Sequence, residues 1–429
     1  MAKRCNKYTE GEVEINNTLW KLLGLSLLVI IFDLSSATAI NAVEITPSMA
    51  WSQTYSGVGD IAHSVIQTKD GGFLLLCSDW PSQDLQDFSG VFHLLKVDSS
   101  GFQQWNQTYT GTIFDIWSGQ YVVQTADGGY AVTAEYQNKL LLLKTDQSGD
   151  PQWNQTYAGS RTCAASTLIQ TSDGGFALVG VSNFDPIYGT SDTVWLVKTD
   201  SHGNQQWNQT LGTGKANSLL QTTDGGYAIA SDPNFLLAKL DSEGSLQWNR
   251  TYVNRDKNSV LSVVQTSDGG YALGGWMWLR TNGGNENLAI VKTDTTGNMQ
   301  WTQYYGAGIA FSMAKTNDDG FAIADDRLVK VNGTGSEQWE IGLGGQAFCV
   351  VQTQDGSYVI AGQAHLNGTA LPWLAKTDVA NTDQTTQPSV TPSPKVPEFP
   401  TWIILLLAVT TALIAFTIIG KKKLNQSTS

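Results

Sequence analysis

Four short sequence patterns recur in the same order seven times between residues 51 and 378. The first pattern, such as Ser-Val-Ile-Gln-Thr, ends in an Asp-Gly turn, and the second begins with an aromatic residue followed by small and aliphatic residues. The third ends in Lys-Thr-Asp or a close relative, and the fourth contains Trp-Asn-Gln-Thr-Tyr or a variant. A period of roughly 40 to 55 residues is typical of β-propeller blades. The sequence therefore predicts an all-β propeller in which each repeat corresponds to a four-stranded blade.

The Asp-Gly turns and the lysines of the third pattern mark the repeats. The turns begin at Asp70, Asp127, Asp173, Asp224, Asp268, Asp319 and Asp355, and the lysines are Lys96, Lys144, Lys198, Lys239, Lys292, Lys330 and Lys376. Two-residue hairpins need positive φ angles, which glycine adopts without steric cost and aspartate tolerates. An acidic residue repeated in every hairpin is therefore predicted to be structural.

The tryptophan pattern indicates how the ring closes. It occurs at Trp51, Trp105, Trp153, Trp207, Trp248, Trp301 and Trp339. Trp51 precedes the first complete repeat, and no tryptophan strand follows the last lysine motif at 376–378. We therefore predict a seven-bladed propeller over residues 43–378, in which the strand around Trp51 completes the last blade. Such closure removes the open seam of the ring.

Both ends of the chain carry export signals. Residues 1–42 combine basic residues, an apolar run at 22–32 and the small-x-small tripeptide Ala37-Thr38-Ala39, which predicts a secretory signal peptide. An N-terminal membrane anchor is the alternative, although the apolar run is short for a membrane span. Residues 379–400 are rich in Thr, Pro, Ser and Gln and predict an extended stalk.

The stalk leads into an apolar stretch at 401–420, which is long enough to cross a bilayer as a helix. The basic tail at 421–429 begins with three lysines, which favour the cytoplasmic side. These features predict a single C-terminal transmembrane helix with the propeller outside the cell.

The stalk ends in Pro397, Glu398 and Phe399, and the whole tail resembles that of archaeal cell-surface proteins with a PEF-type C-terminal sorting signal. The resemblance implies that an archaeosortase-like enzyme cuts the chain near this motif and exchanges the tail for another anchor. A permanent transmembrane helix is the alternative, and both remain open at this point.

The repeats from 51 to 378 resemble archaeal surface propellers built on Ser-Val-Ile-Gln-Thr-x-Asp-Gly-Gly-Tyr and Trp-Leu-Val-Lys-Thr-Asp modules. The Asp-x-x-Gly-x-x-x-Trp element, as at 294–301, also distantly resembles the tryptophan-docking repeats of quinoprotein-type propellers and the Asp-box of sialidase-like propellers. No catalytic residue of either enzyme class matches this sequence beyond the turn.

Composition excludes some functions. The formal net charge of −13 argues against a nucleic-acid partner, because phosphate binding needs a basic surface. The four histidines show no metal-ligand spacing, so neither a metal nor another cofactor is predicted. The four cysteines, Cys5, Cys77, Cys163 and Cys349, are far apart and are predicted to be core thiols.

The loops between the second and third strands vary in length, being long in blades one, three and five, and variable loops on a rigid scaffold commonly bind ligands. The candidate binding residues in these loops are Trp80, Asp84, Asp87, Phe184, Asp185, Tyr188, Asp192, Trp276, Trp278 and Arg280. Aromatic residues beside carboxylates suit sugar stacking or a cation. The alternative is that the aromatics only hold the loops against the domain.

Six Asn-x-Ser/Thr sequons predict glycosylation on an exported surface: Asn106, Asn154, Asn208, Asn249, Asn332 and Asn367. The leading hypothesis is a non-catalytic, membrane-anchored surface propeller that binds a glycan or an envelope protein. An extracellular enzyme of glycosidase, lyase or quinoprotein type is the second, and a purely architectural envelope role is the third. A glycosidase would place two carboxylates about 5 to 10 Å apart.

Overall fold

The computed structural model describes residues 46–79, 90–113, 121–159, 163–183, 192–253, 257–279 and 284–379. These residues form 28 β-strands and no helix, so this part of the chain contains no helix that spans a membrane. The predicted signal peptide, the stalk beyond residue 379, the sorting motif, the transmembrane helix and the basic tail lie outside the described residues.

The strands form seven four-stranded antiparallel sheets, which confirms the prediction of a seven-bladed propeller. Blade 1 contains β2 (Ile61–Gln67), β3 (Phe73–Ser78), β4 (Val91–Val97) and β5 (Gln103–Thr110). Blade 2 contains β6 (Val122–Gln124), β7 (Tyr130–Tyr136), β8 (Lys139–Thr145) and β9 (Pro151–Tyr157). Blade 3 contains β10 (Cys163–Gln170), β11 (Phe176–Ser182), β12 (Thr193–Thr199) and β13 (Gln205–Thr213).

The next three blades repeat this order. Blade 4 contains β14 (Lys215–Gln221), β15 (Tyr227–Asp232), β16 (Leu236–Leu240) and β17 (Leu246–Thr251). Blade 5 contains β18 (Asn258–Gln265), β19 (Tyr271–Leu279), β20 (Asn285–Thr293) and β21 (Met299–Ala307). Blade 6 contains β22 (Ser312–Lys315), β23 (Phe321–Ala324), β24 (Arg327–Val331) and β25 (Glu337–Gly342).

Blade 7 is built from both ends of the described chain. It contains β26 (Gln346–Gln352), β27 (Tyr358–Leu366), β28 (Thr369–Thr377) and, as its outermost strand, β1 (Met49–Thr54). Trp51 pairs with Lys376, and Thr54 pairs with Trp373. The Trp373 indole donates a hydrogen bond to the Ser52 hydroxyl at 2.7 Å.

A buried lysine organises the turn end of each blade. In blade 3, the Lys198 ammonium donates to the Asp173 carboxylate at 2.7 Å, to the Thr199 carbonyl at 2.8 Å and to the Gln206 amide oxygen at 3.0 Å. A buried ammonium is costly unless its donors are satisfied, and here three oxygens surround it. The same lysine–aspartate pair occurs in all seven blades at 2.7–2.9 Å. Only one end of each pair is buried, because the aspartates remain about half exposed.

The sixth turn differs from the sequence prediction. Asp318, and not Asp319, holds the structural position, since its carboxylate pairs with Lys330 at 2.7 Å. Asp319 instead takes the place of the turn glycine, with a φ angle of 62°. The two consecutive aspartates hid this shift, because either one reads as the start of an Asp-Gly turn. Aspartate tolerates this left-handed conformation better than most residues.

Tryptophan residues join neighbouring blades. Each tryptophan of an outermost strand contacts the aromatic residue that opens the second strand of the next blade, with ring centroids 5.6–6.4 Å apart. At the junction of blades 3 and 4, Trp207 meets Tyr227 at 5.7 Å and also covers Gly244. This arrangement explains the resemblance of the repeats to tryptophan-docking propellers.

A second set of contacts circles the inner strands. The amide oxygen of Gln124 in blade 2 accepts from the Lys69 backbone N–H in the turn of blade 1 at 2.9 Å. The same bridge joins five further pairs of blades through Gln170, Gln221, Gln265, Gln352 and Gln67. Gln67 thereby links blade 1 to Gln354 of blade 7. Blade 6 carries Lys315 at this position, which contacts Ser267 of blade 5.

The turn aspartates predict a loss of stability in acid. Burial alone would raise the pKa of Asp127, but hydrogen bonds from Thr125 and Lys144 outweigh it and lower the pKa to about 2. The pKa values of Asp173, Asp224 and Asp268 are likewise about 2, and those of Asp70, Asp318 and Asp355 are also lowered. Because unfolded aspartate titrates near a pKa of about 3.9, these groups stabilise the fold above about pH 4.

That stability should disappear as the pH falls from about 4 to about 2, which urea denaturation of residues 43–378 at a series of pH values will measure. Asp173→Asn removes one of the titrating groups and should give a shallower decline over the same pH range. A free energy of unfolding that stays level between these pH values would contradict the prediction.

A matched pair of glycines tests the tryptophan contact. Gly244 has a φ angle of 82°, and an added Cβ would lie 2.6 Å from the Trp207 ring. Gly225 has a similar φ angle of 84°, but nothing lies within 4 Å of its Cβ position. Gly225→Ala should cost about 1–2 kcal/mol for the left-handed backbone alone. Gly244→Ala should cost about 1–3 kcal/mol more, because the packed ring must move.

Denaturant unfolding of both variants gives the comparison. Equal losses of unfolding free energy would mean that Trp207 shifts without cost and does not hold the blades together.

Candidate binding site at the variable end of the channel

The two faces of the ring differ in their connections. Antiparallel strands alternate in direction, so the turns between strands one and two and between strands three and four lie on one face, called here the turn face. The loops between strands two and three and the links between blades lie on the opposite face, called the variable face. The buried lysines and the glutamine bridges belong to the turn face. The sequence variation therefore concentrates where these repeated contacts are absent.

The first strand of each blade lines a central channel. Near the variable face, an apolar plug of Ile61, Leu261, Phe311 and Phe348 comes together from four blades or the links that precede them, and Trp276 and Ile309 pack against it. The rings of Phe311 and Phe348 meet edge to face with centroids 5.3 Å apart. On the turn side of the plug lies a cavity of about 560 Å³. Leu261 and Phe311 line this cavity and also a second one nearer the variable face.

The second cavity, called here the mouth pocket, has a volume of about 250 Å³. It is lined by Lys215, Asn217, Asp232, Ser259, Leu261, Trp276, Ile309 and Phe311. Four of these side chains are apolar and four are polar, and they come from blades 4 and 5 and the link into blade 6. Concave pockets with apolar walls and a few convergent polar groups are the usual form of small-molecule sites.

Asp232 is the centre of the polar wall. Its Oδ2 accepts from the Ser259 hydroxyl at 2.6 Å and from the Asn217 amide at 2.9 Å, and its Oδ1 accepts from the Val260 backbone N–H at 3.0 Å. Burial raises the pKa of Asp232, although these hydrogen bonds and the nearby Lys215 charge act in the opposite direction. The carboxyl group thus ties the start of β14 to the start of β18 across the pocket wall.

Two predicted loop residues lie at or beside the mouth pocket. Trp276 lines it and is half buried. Asp192 is buried, and its backbone carbonyl accepts a hydrogen bond from Gly214, the residue before Lys215. Trp278 lies elsewhere, with the Lys257 ammonium 4.7 Å from its ring centroid and Gly284 against the ring. The remaining predicted loop residues lie outside the described residues: Trp80, Asp84, Asp87, Phe184, Asp185, Tyr188 and Arg280.

Sequence reasoning missed Lys215, Asn217, Asp232 and Ser259, because it searched the loops and not the strand ends. A signal was present in blade 4. Its first strand reads Lys-Ala-Asn where blade 3 reads Cys-Ala-Ala, and its second strand ends in Asp232 where blade 3 has Ser182. Charged and amide residues at inner-strand ends of a repeat are departures that indicate a site.

The described part of the chain shows no grouping of three His, Cys, Asp or Glu side chains suited to a metal ion. The His63 ring is buried and its Nε2 lies 2.7 Å from the Ser78 hydroxyl, within the strands of blade 1. Cys77, Cys163 and Cys349 are buried free thiols, which confirms the prediction for these three, whereas Cys5 lies outside the described residues.

The sequons occupy different environments. Asn106, Asn154, Asn208 and Asn249 are exposed on the outermost strands of blades 1 to 4, and Asn367 is exposed in the hairpin between β27 and β28. Asn332 is only partly exposed, and its side-chain oxygen accepts from the Thr334 and Ser336 backbone N–H groups at 3.0 and 2.9 Å. That side chain holds the turn between β24 and β25.

The fold and the mouth pocket define a seven-bladed β-propeller with a small polar and aromatic cavity at one end of its channel. No protein-family model matches the chain, and no curated protein matches it. Among solved structures it is similar to the Dos1 propeller, at 13% identity and a TM-score of 0.51, over 79% of this chain and 96% of that one.

Two further solved structures are similar to the same extent. One is BBS1N in complex with ARL6DN, at 12% identity and a TM-score of 0.51, over 80% of this chain and 100% of that one. The other is a catalytically inactive virginiamycin B lyase from Staphylococcus aureus with quinupristin, at 9% identity and a TM-score of 0.51, over 76% and 98%. At such identities the likeness shows the fold alone.

Proposed function

We propose that this protein is a non-catalytic binding propeller displayed on the cell surface, with its ligand or partner at the variable face. The observation that carries the proposal is the mouth pocket, where polar groups of blades 4 and 5 converge beside an aromatic wall. The turn face offers no comparable variation, because repeated lysine, glutamine and tryptophan contacts occupy it. Binding on the irregular face of a rigid ring is the usual arrangement in propellers and other loop-bearing scaffolds.

The surface location rests on the sequence of the two ends. A signal peptide at 1–42 exports the chain, and a helix at 401–420 with the lysines at 421–423 holds it in the membrane. The stalk at 379–400 separates the propeller from the lipid, and glycans at the exposed sequons decorate its rim. The resemblance of the tail to PEF-type signals extends the proposal to an archaeal envelope and an archaeosortase-like processing enzyme.

The similar structures support binding as a use of this ring. The titles of two of them record a propeller in complex with a protein and a propeller with a small molecule. The propeller ring therefore accommodates both kinds of ligand. For this chain, an envelope protein or a surface glycan is the partner consistent with export.

Two measurements test the proposal. Protease added to intact cells should release the propeller of the full chain, because it lies outside the membrane. A labelled fragment of residues 43–378, which contains all 28 described strands, should bind intact host cells saturably. Lys215→Glu on the variable face should weaken this binding about tenfold or more, as expected of a central contact.

The matched control is Lys69→Glu on the turn face, where the lysine only donates to the carbonyls of Thr125 and Ala126. It should leave binding to cells unchanged. A propeller that is protected from protease on intact cells would contradict the surface location. Binding that is absent, or equally weakened by both variants, would contradict the role of the variable face.

We also propose that β1 acts as the latch of the ring. Besides pairing with β28, this segment continues to Tyr55, whose hydroxyl donates to the Gly101 carbonyl of blade 1 at 2.8 Å. The segment therefore completes blade 7 and also contacts blade 1. Without it, β28 would be an exposed edge strand with unpaired backbone groups.

Removing residues 43–57 from the 43–378 fragment should cause aggregation or a broad, non-cooperative melting transition, measured by circular dichroism. Adding a peptide of residues 43–57 in excess should restore cooperative melting, and a scrambled peptide should not. An unchanged melting profile after the deletion would refute the latch.

A further inference from the structure

The geometry points to a carbohydrate ligand for the mouth pocket: a single pyranose ring, stacked on Trp276 and held at its edge by Ser259 and Lys215. This inference deepens the proposed binding function by naming the chemical class of the ligand. It depends on three observations, namely the aromatic wall, the polar edge opposite it, and the way the Asp232 carboxyl is already engaged.

Trp276 supplies a platform. It lies in β19, pairs with Leu288 of β20 and with Ser259 of β18, and packs against the apolar plug on one side. The plug fixes the ring, while half burial leaves part of the side chain facing the pocket. A fixed aromatic surface suits the apolar C–H face of a sugar ring, and little conformational entropy is lost on binding.

The polar edge matches hydroxyl groups. Ser259 donates its proton to Asp232, so the Ser259 oxygen presents lone pairs as acceptors at the pocket. Lys215 also lines the pocket, and an ammonium group carries three N–H donors. A donor and an acceptor side by side can bind neighbouring sugar hydroxyls, each of which both donates and accepts.

The state of Asp232 disfavours a cationic ligand. Three protein donors already bind its two oxygens, and Lys215 contributes positive charge beside it. Burial also raises the pKa of Asp232 and so disfavours the charged carboxylate. A cation would therefore find little unbalanced negative charge in the pocket. Asp232 acts instead as a positioning residue, which orients Ser259 and Asn217 along the polar edge.

The probes are methyl glycosides of glucose, galactose and mannose, added to the 43–378 fragment and followed by saturation-transfer NMR and titration calorimetry. At least one glycoside should bind in the millimolar range or tighter. Mannitol carries the hydroxyls without a ring and should bind at least about tenfold more weakly. Tetramethylammonium tests the cationic alternative and should not compete with the glycoside.

Variants then locate the ligand. Trp276→Leu keeps an apolar side chain against the plug but removes the flat surface, and it should weaken binding about tenfold or more. Trp276→Phe keeps a smaller aromatic face and should retain part of the affinity. Ser259→Ala should also weaken binding, whereas Trp278→Ala, away from the pocket, should leave it unchanged. Melting curves of each variant confirm that the propeller is folded.

The outcomes separate this inference from the proposed function. If the fragment binds cells but no glycoside, or if tetramethylammonium competes, the carbohydrate inference is overturned and the surface-binding function stands. The same holds if glycoside binding is unaffected by Trp276→Leu. If a glycoside binds at Trp276 while cells are not bound, the pocket assignment stands and the surface role fails.

Discussion

A buried lysine in each blade is the contact on which the rest of the ring depends. In blade 3, the Lys198 ammonium joins the turn after the first strand, the end of its own strand and a glutamine of the outermost strand. Because a buried ammonium must satisfy its donors, these three segments are held in one arrangement. Blade 7 shows the dependence from the other side. Its outermost strand has Ala50 where the others have glutamine, and the side chain of Lys376 is 16% exposed against 3–6% in the other blades.

The fixed turn face determines how the blades meet. Each lysine positions its turn, the turn exposes a backbone N–H, and a glutamine of the next blade accepts from it, as Gln124 does from Lys69. The tryptophan contacts add the outer half of the same junction, as between Trp207 and Tyr227. Only the junction from blade 5 to blade 6 lacks the glutamine, and Lys315 with Ser267 replaces it there. The ring is thus specified by contacts between repeats and needs little from the variable face, which leaves that face available for binding.

The repeats predicted the fold well because each repeated residue performs one local task. Asp-Gly turns, the Lys-Thr-Asp motif and the Trp strand each correspond to a contact seen seven times, so their number predicted the number of blades. The turn at Asp318 and Asp319 was assigned one residue late, since spacing alone does not tell which carboxylate meets Lys330. The candidate site was harder to predict. Asp232, Asn217 and Ser259 come from separate strands that meet only when blades 4 and 5 are packed side by side. Sequence patterns report the elements of one blade, whereas this site depends on the angle between two.

The place of the pocket follows from loop length. Blades 4 and 6 have short connections between their second and third strands, such as the one between Asp232 and Leu236, while β19 and β20 of blade 5 form a longer hairpin. Short connections leave the polar ends of β14 and β18 uncovered at the channel mouth, and the long hairpin brings Trp276 over the apolar plug. A uniform set of long loops would cover this mouth, and a uniform set of short loops would supply no aromatic wall. The irregularity of the loops therefore creates the pocket, and a ring of identical blades would lack it.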